Sequence, residues 1–137
     1  NQGFVQTELL SAAILDMDYH KLNTTDAFDV NAFEEASMKK MHMIPEIITR
    51  YRSTFYNHIF TTGYAAGYYS YTWAAVLDAD AFAAFAETGD ILNPEQAKKF
   101  ARLLEQGGTR DAALLYQEFR GKDADPKHLL KRSGFID

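Results

Sequence analysis

Tyr64, Tyr68 and Tyr71 stand at i, i+4 and i+7, a spacing that on a helix lines three phenol hydroxyls along one face. His58 lies six residues before Tyr64, in a segment, His58-Ile59-Phe60-Thr61-Thr62-Gly63, that ends in glycine and reads as a loop able to move over a ligand. Neutral phenol and imidazole donors suit the stabilisation of an oxyanion in a tetrahedral intermediate, provided that another group supplies the nucleophile. Aromatic stripes at helical spacing are more often core than site. Against that, a buried tyrosine needs a partner for its hydroxyl, and tyrosine is favoured where one end is apolar and the other wet, as on a cleft wall.

The rest of the chain names no nucleophile. It has no His-Glu-x-x-His, no Gly-x-Ser-x-Gly and no phosphate loop, and the lack of cysteine excludes thiol nucleophiles, thiolate metal sites and disulfides. Asp16, Asp18 and His20 alternate along a predicted helix and are read as surface and capping groups on different faces. His42 and His128 read as ordinary hydrogen-bonding residues, and Lys39-Lys40 and Lys98-Lys99 as solvated helix faces. A formal charge of −5, with basic residues scattered among acids, argues against a nucleic-acid partner. The longest apolar runs, residues 74–77 and 81–86, fall far short of the ~20 residues a membrane helix requires, so no membrane span is expected.

The elements that must position these groups follow from periodicity and punctuation. The 137 residues suit one domain, 1–137, and a hydrophobic share of 47% favours a folded chain. Residues 8–22 carry Leu9, Leu10, Ala13, Ile14, Met17 and Leu22 near the 3.6-residue period of a helix. After the turn cluster Asn23-Thr24-Thr25-Asp26, a second helical rhythm runs from Val30 to Pro45, and a further segment covers residues 46–58. Residues 63–86, rich in alanine, read as one long and largely buried helix despite the β-propensity of their tyrosines. Asn93-Pro94-Glu95-Gln96 opens the next helix and Gly107-Gly108 stops it. Thr109 is expected to cap a helix through Phe119, and Asp125-Pro126 to begin a last one ending at Gly134. The fold class expected is all-α, with about seven helices and no strand.

The run from His58 through Gly63-Tyr64-Ala65-Ala66-Gly67-Tyr68-Tyr69-Ser70-Tyr71 to Thr72-Trp73 resembles the substrate-binding segment of the thimet oligopeptidase family of zinc metallopeptidases. Within that family, His58-Ile59-Phe60 and the step of six from His58 to Tyr64 are most similar to the bacterial peptidyl-dipeptidase branch. The likeness continues through Thr7-Glu8, Asp16-Met17-Asp18-Tyr19-His20, Phe119-Arg120-Gly121-Lys122 and Leu129-Leu130-Lys131-Arg132, and so covers essentially the whole chain.

The resemblance implies the all-α C-terminal portion of a larger helical metallopeptidase that hydrolyses oligopeptides and releases C-terminal dipeptides, with oligopeptide endopeptidase action as the alternative. The start at Asn1 rather than methionine fits such an excised piece. The resemblance places the zinc ligands, two histidines of His-Glu-x-x-His and a downstream glutamate, before Asn1, leaves this chain without a metal ligand, and makes the isolated segment inactive. It implies that Tyr71 and His58 donate to the scissile carbonyl oxygen as zinc-bound water attacks. Tyr64 would hold substrate, Tyr68 would support the same wall, and Gly63 and Gly67 would supply backbone freedom for closure. Short peptides and the remainder of the polypeptide are the implied partners, neither nucleic acid nor membrane, and the expected compartment is the cytoplasm, with the periplasm as alternative. A non-catalytic helical peptide-binding module is the reading from a different class.

Overall fold

Short acceptor side chains set several helix starts. In a computed structural model describing residues 1–61 and 63–137, Asp29 accepts hydrogen bonds from the N–H groups of Asn31 and Ala32 at 2.9 and 3.2 Å and starts α2 (Val30–Lys40). Asn93 does the same for α5 (Pro94–Gln106) and Asp111 for α6 (Ala112–Arg120), each cap stabilising by about 1 kcal/mol. Asp111 and not Thr109 therefore opens α6; the Thr109 hydroxyl instead donates back to the Gln106 carbonyl at 2.7 Å. Gly121 ends α6 with φ +79°, a left-handed geometry that glycine adopts without steric cost. The remaining helices are α1 (Gln2–His20), α3 (Asn57–Thr61), α4 (Ser70–Ala86) and α7 (Lys127–Arg132), with a one-turn 3₁₀ helix at Ser53–Phe55. The described residues are all helix, turn and loop, without a strand, so the all-α expectation holds. Thr62 of the motif lies outside the described residues.

Two expectations about helices are corrected. The segment 46–58 forms turns, the 3₁₀ helix and the first residues of α3, so that His58 sits in α3 rather than in a loop. The buried carboxylate of Glu34 in α2 ties down the chain just before the 3₁₀ helix: it accepts from the Ser53 N–H and hydroxyl at 2.7 and 2.9 Å and pairs with the Arg52 guanidinium. A side chain thus takes the donors that a helix would have given to its own carbonyls. The helix expected over residues 63–86 begins only at Ser70, and it is not largely buried, since Tyr71, Trp73 and Phe82 stand about half exposed.

The chain forms two compact units, Asn1–Thr72 and Trp73–Asp137. In the first, α1 packs on α2 around Ala12, Ala13, Leu15, Met38, Tyr56, Ile59 and Tyr68. Alanines at 12 and 13 leave the α1 backbone open to close approach, and the Tyr56 hydroxyl donates to the Ala12 carbonyl at 3.1 Å. In the second, Ala81, Ala84, Tyr116 and Phe119 form the core, flanked by Phe85, Phe100 and Leu103. The fully buried Asp80 carboxylate sits in this unit, accepting from the Tyr116 hydroxyl at 2.6 Å and Arg120 Nε at 3.0 Å, with His128 Nε2 3.3 Å away. Burial pushes the Asp80 carboxyl up, but the bonds from Tyr116 and Arg120 outweigh it and hold the group below its ordinary range. Two bonds to Glu87, at 2.7 and 2.6 Å, complete the Arg120 guanidinium.

Candidate functional site

The site is built on a carboxylate far from it in sequence. Asp16, on the inner face of α1 and 0% exposed, accepts from the Ala66 N–H through Oδ1 and from the Tyr68 N–H through Oδ2, both at 2.9 Å. His20, one turn further along α1, places Nδ1 2.8 Å from Asp16 Oδ1. The surface and capping reading is therefore overturned for Asp16, while His20 is exposed and pairs with it. Asp16 and His20 are i, i+4 neighbours on one helix face, and charge-assisted bonds from backbone donors offset the cost of burying the carboxylate. Asp18 is mostly buried as well, accepting from the Ser37 hydroxyl at 2.7 Å, with Lys40 Nζ 3.6 Å away, so that it ties α1 to α2.

This grip explains why residues 63–69 are not helical. The N–H groups of Ala66 and Tyr68 go to Asp16, while Gly67 N–H bonds the Tyr64 carbonyl at 2.8 Å and Ser70 N–H the Gly67 carbonyl at 3.1 Å, closing tight turns that lead into α4. Ala66 adopts φ +54°, a left-handed conformation that costs an L-residue with a Cβ roughly 1–2 kcal/mol. Its N–H and that of Tyr68 converge on one anion, as in backbone nests. At Gly67 the constraint is close approach: a Cβ there would stand 3.3 Å from the Tyr64 carbonyl oxygen. Gly63 is exposed, with open space around the position of a Cβ.

The structure brings the expected side chains together in one unit. Tyr64 and Tyr71 stack with ring centroids 5.9 Å apart and an interplanar angle of 13°, and they are 39% and 45% exposed. Tyr68, 4% exposed, belongs to the core, with ring contacts to Tyr71 at 5.2 Å, Tyr56 at 5.5 Å and His58 at 6.1 Å. His58 is partly buried in α3, its ring 4.8 Å from Tyr51. Ring contacts thus run from His58 through Tyr68 and Tyr71 to Tyr64. A hydrogen bond with Tyr64 raises the Tyr71 pKa above its ordinary value. Burial, followed by a hydrogen bond with Tyr51, pushes Tyr68 up to about 12. At neutral pH both phenols keep their protons and can act as donors.

Tyr51 is the aromatic neighbour that the sequence did not single out. Its ring stacks on Tyr56 at 5.0 Å, and Arg50 holds its guanidinium 5.6 Å from the same ring centroid while pairing with Glu8 at 3.2 Å. The one available sign was the aromatic density just ahead of His58. Among the described residues no group of three or more His, Cys, Asp or Glu is placed to hold a metal ion, so these residues do not fit a zinc site. No helix among them is long and apolar enough to cross a membrane.

Comparison with known proteins adds a second line. The sequence model of Peptidase family M3 matches residues 1–135. Dipeptidyl carboxypeptidase of Escherichia coli (strain K12) is 38% identical over 136 residues, covering 98% of this chain and 20% of that protein. The probable cytosolic oligopeptidase A of Arabidopsis thaliana is 34% identical over 139 residues, again 98% of this chain and 20% of the relative. Oligopeptidase A of Haemophilus influenzae is 45% identical over 83 residues, 60% of this chain and 12% of its own length. The chain spans about a fifth of the length of the curated relatives it matches from end to end.

Proposed function

Because the chain belongs to peptidase family M3, we propose that it supplies the substrate-gripping wall of a zinc peptidyl-dipeptidase that releases C-terminal dipeptides from short peptides. The observation that carries this reading is the Tyr64–Tyr71 pair, stacked and about 40% exposed across a turn fixed from within. Phenols meant only for the core would be covered, as Tyr68 is.

Tyr71 stands as a protonated donor, stacked beside Tyr64 and 45% exposed. A substrate carbonyl accepts from that donor, and Tyr71, with His58, stabilises the negative charge that gathers on its oxygen in the transition state. Tyr64 and the exposed backbone at Gly63 hold the peptide, and buried Tyr68 supports the Tyr71 ring from behind. The described residues form no zinc site, so zinc is assigned to other residues of a longer polypeptide and no step here runs through it. Residues 1–137 are accordingly proposed as a C-terminal segment of the catalytic region that hydrolyses nothing by itself.

Tyr71→Phe in the full-length polypeptide tests the reading. On an N-blocked short peptide kcat is expected to fall about 10²–10³-fold with KM nearly unchanged. Unchanged turnover removes Tyr71 from the chemistry. The 45% identity to oligopeptidase A favours endopeptidase action as a second reading. Amidating the peptide's C-terminus separates the two: dipeptide release stops if a free carboxylate is required, and internal cleavage continues if it is not.

A further inference from the structure

We propose that Asp16 is the positioning residue of the tyrosine wall, acting through the backbone of residues 66–68 and never touching substrate. The proposal rests on the reading of Tyr64 and Tyr71 as substrate-facing donors. Asp16 is wholly buried, and both its oxygens are occupied: Oδ1 by the Ala66 N–H and His20, Oδ2 by the Tyr68 N–H. The turn it holds lies between Tyr64 and Tyr71 in the chain, so its conformation sets how far apart the two phenols stand and at what angle they stack. Two features show that this turn needs an external restraint. Ala66 is left-handed without being glycine, and Gly67 approaches the Tyr64 carbonyl so closely that any Cβ would crowd it. His20 restrains the restraint: its Nδ1 lies 2.8 Å from both the Asp16 carboxylate and the Asp16 carbonyl oxygen, which limits rotation of the side chain.

The chemistry makes Asp16→Asn a sharp probe. A carboxamide has one acceptor atom where the carboxylate has two, so whichever way it turns, one of the two backbone N–H groups faces an NH₂. In the full-length polypeptide, Asp16→Asn is expected to speed hydrogen exchange at the Ala66 and Tyr68 amides by about tenfold or more while α1 and α2 stay protected. It is expected to lower kcat on a short peptide about 10–100-fold with little change in KM. Adding Tyr71→Phe should then cost much less than the product of the two separate losses, because both remove the same donor from its place. Multiplying losses, or unchanged exchange at the two amides, overturns the proposal, since a general loss of stability would not spare the second mutation's effect. If Asp16→Asn does not fold, His20→Gln carries the same test, with faster exchange at Ala66 and Tyr68 expected and unchanged exchange overturning it. Tyr71→Phe without effect on kcat would sink the proposed function alone, and exchange at the two amides would still decide whether Asp16 holds the turn.

Discussion

The Arg120 guanidinium meets the Asp80 carboxylate at 3.0 Å with both side chains withdrawn from water, 5% and 0% exposed. Removing one member of a buried, hydrogen-bonded pair leaves the other charge without its partner, which typically costs about 3–5 kcal/mol. Asp80→Ala is therefore expected to lower the denaturant midpoint of the second unit by an amount of that order, with an unchanged slope. A loss below about 1 kcal/mol would mean that Glu87 alone satisfies Arg120.

The same carboxylate sets an acid limit. Its folded-state pKa is lowered, so its contribution is fully present above the ordinary carboxylate pKa and is lost as pH falls through the lower folded value. Unfolding of the second unit is expected to set in below about pH 4, and Asp80→Asn should flatten that dependence. Far-ultraviolet circular dichroism against pH would show an equally steep acid limb in the variant if other carboxylates dominate.

Tyr68 sets a limit at the opposite end. Its pKa is raised to about 12, first by burial and then by the hydrogen bond with Tyr51, so its contribution is present below the unfolded tyrosine value near 10 and disappears as pH rises towards 12. Alkaline denaturation should steepen there in the natural sequence and less so in Tyr68→Phe; identical alkaline limbs would remove Tyr68 as the responsible group.

The turn of residues 64–68 offers a pair of opposed substitutions. Ala66→Gly relieves a left-handed backbone and is expected to gain about 0.5–1 kcal/mol, part of the relief being offset by glycine's greater freedom when unfolded. Gly67→Ala brings a methyl group 3.3 Å from the Tyr64 carbonyl oxygen and is expected to cost a similar amount while loosening the Tyr64–Tyr71 stack. Thermal melts of the two variants should move in opposite directions, and a shift of the same sign in both would show that the turn is not strained as described.

What could be read from the sequence was what is decided locally. The cap at Asn93 with Pro94 behind it, and the helical periods of α1 and α2, depend on residues within a turn of each other. The turn at residues 63–69 could not be read, because the groups that unwind it come from Asp16, 50 and 52 residues earlier. Glu34 has the same effect on Ser53 from 19 residues away. The spacing from Tyr64 to Tyr71 still led to neighbours, through a stack across a turn and not along a helix face. Asp16 and His20 were legible in principle as an i, i+4 pair, but the intervening Asp18 made the trio look like an alternation. Nothing in the spacing of Tyr51 and Tyr56 foretold their stack, since a chain of turns and not a regular element carries them.

Asp16 holds main-chain N–H groups, not side chains, and every amino acid except proline brings that N–H to positions 66 and 68. Fastening and lettering are thereby uncoupled: residues 64, 65 and 69 can be rewritten without unhooking the segment. For an engineer this makes the turn an exchangeable cassette, with Asp16 as its latch and proline at 66 or 68 as the substitution that would open it.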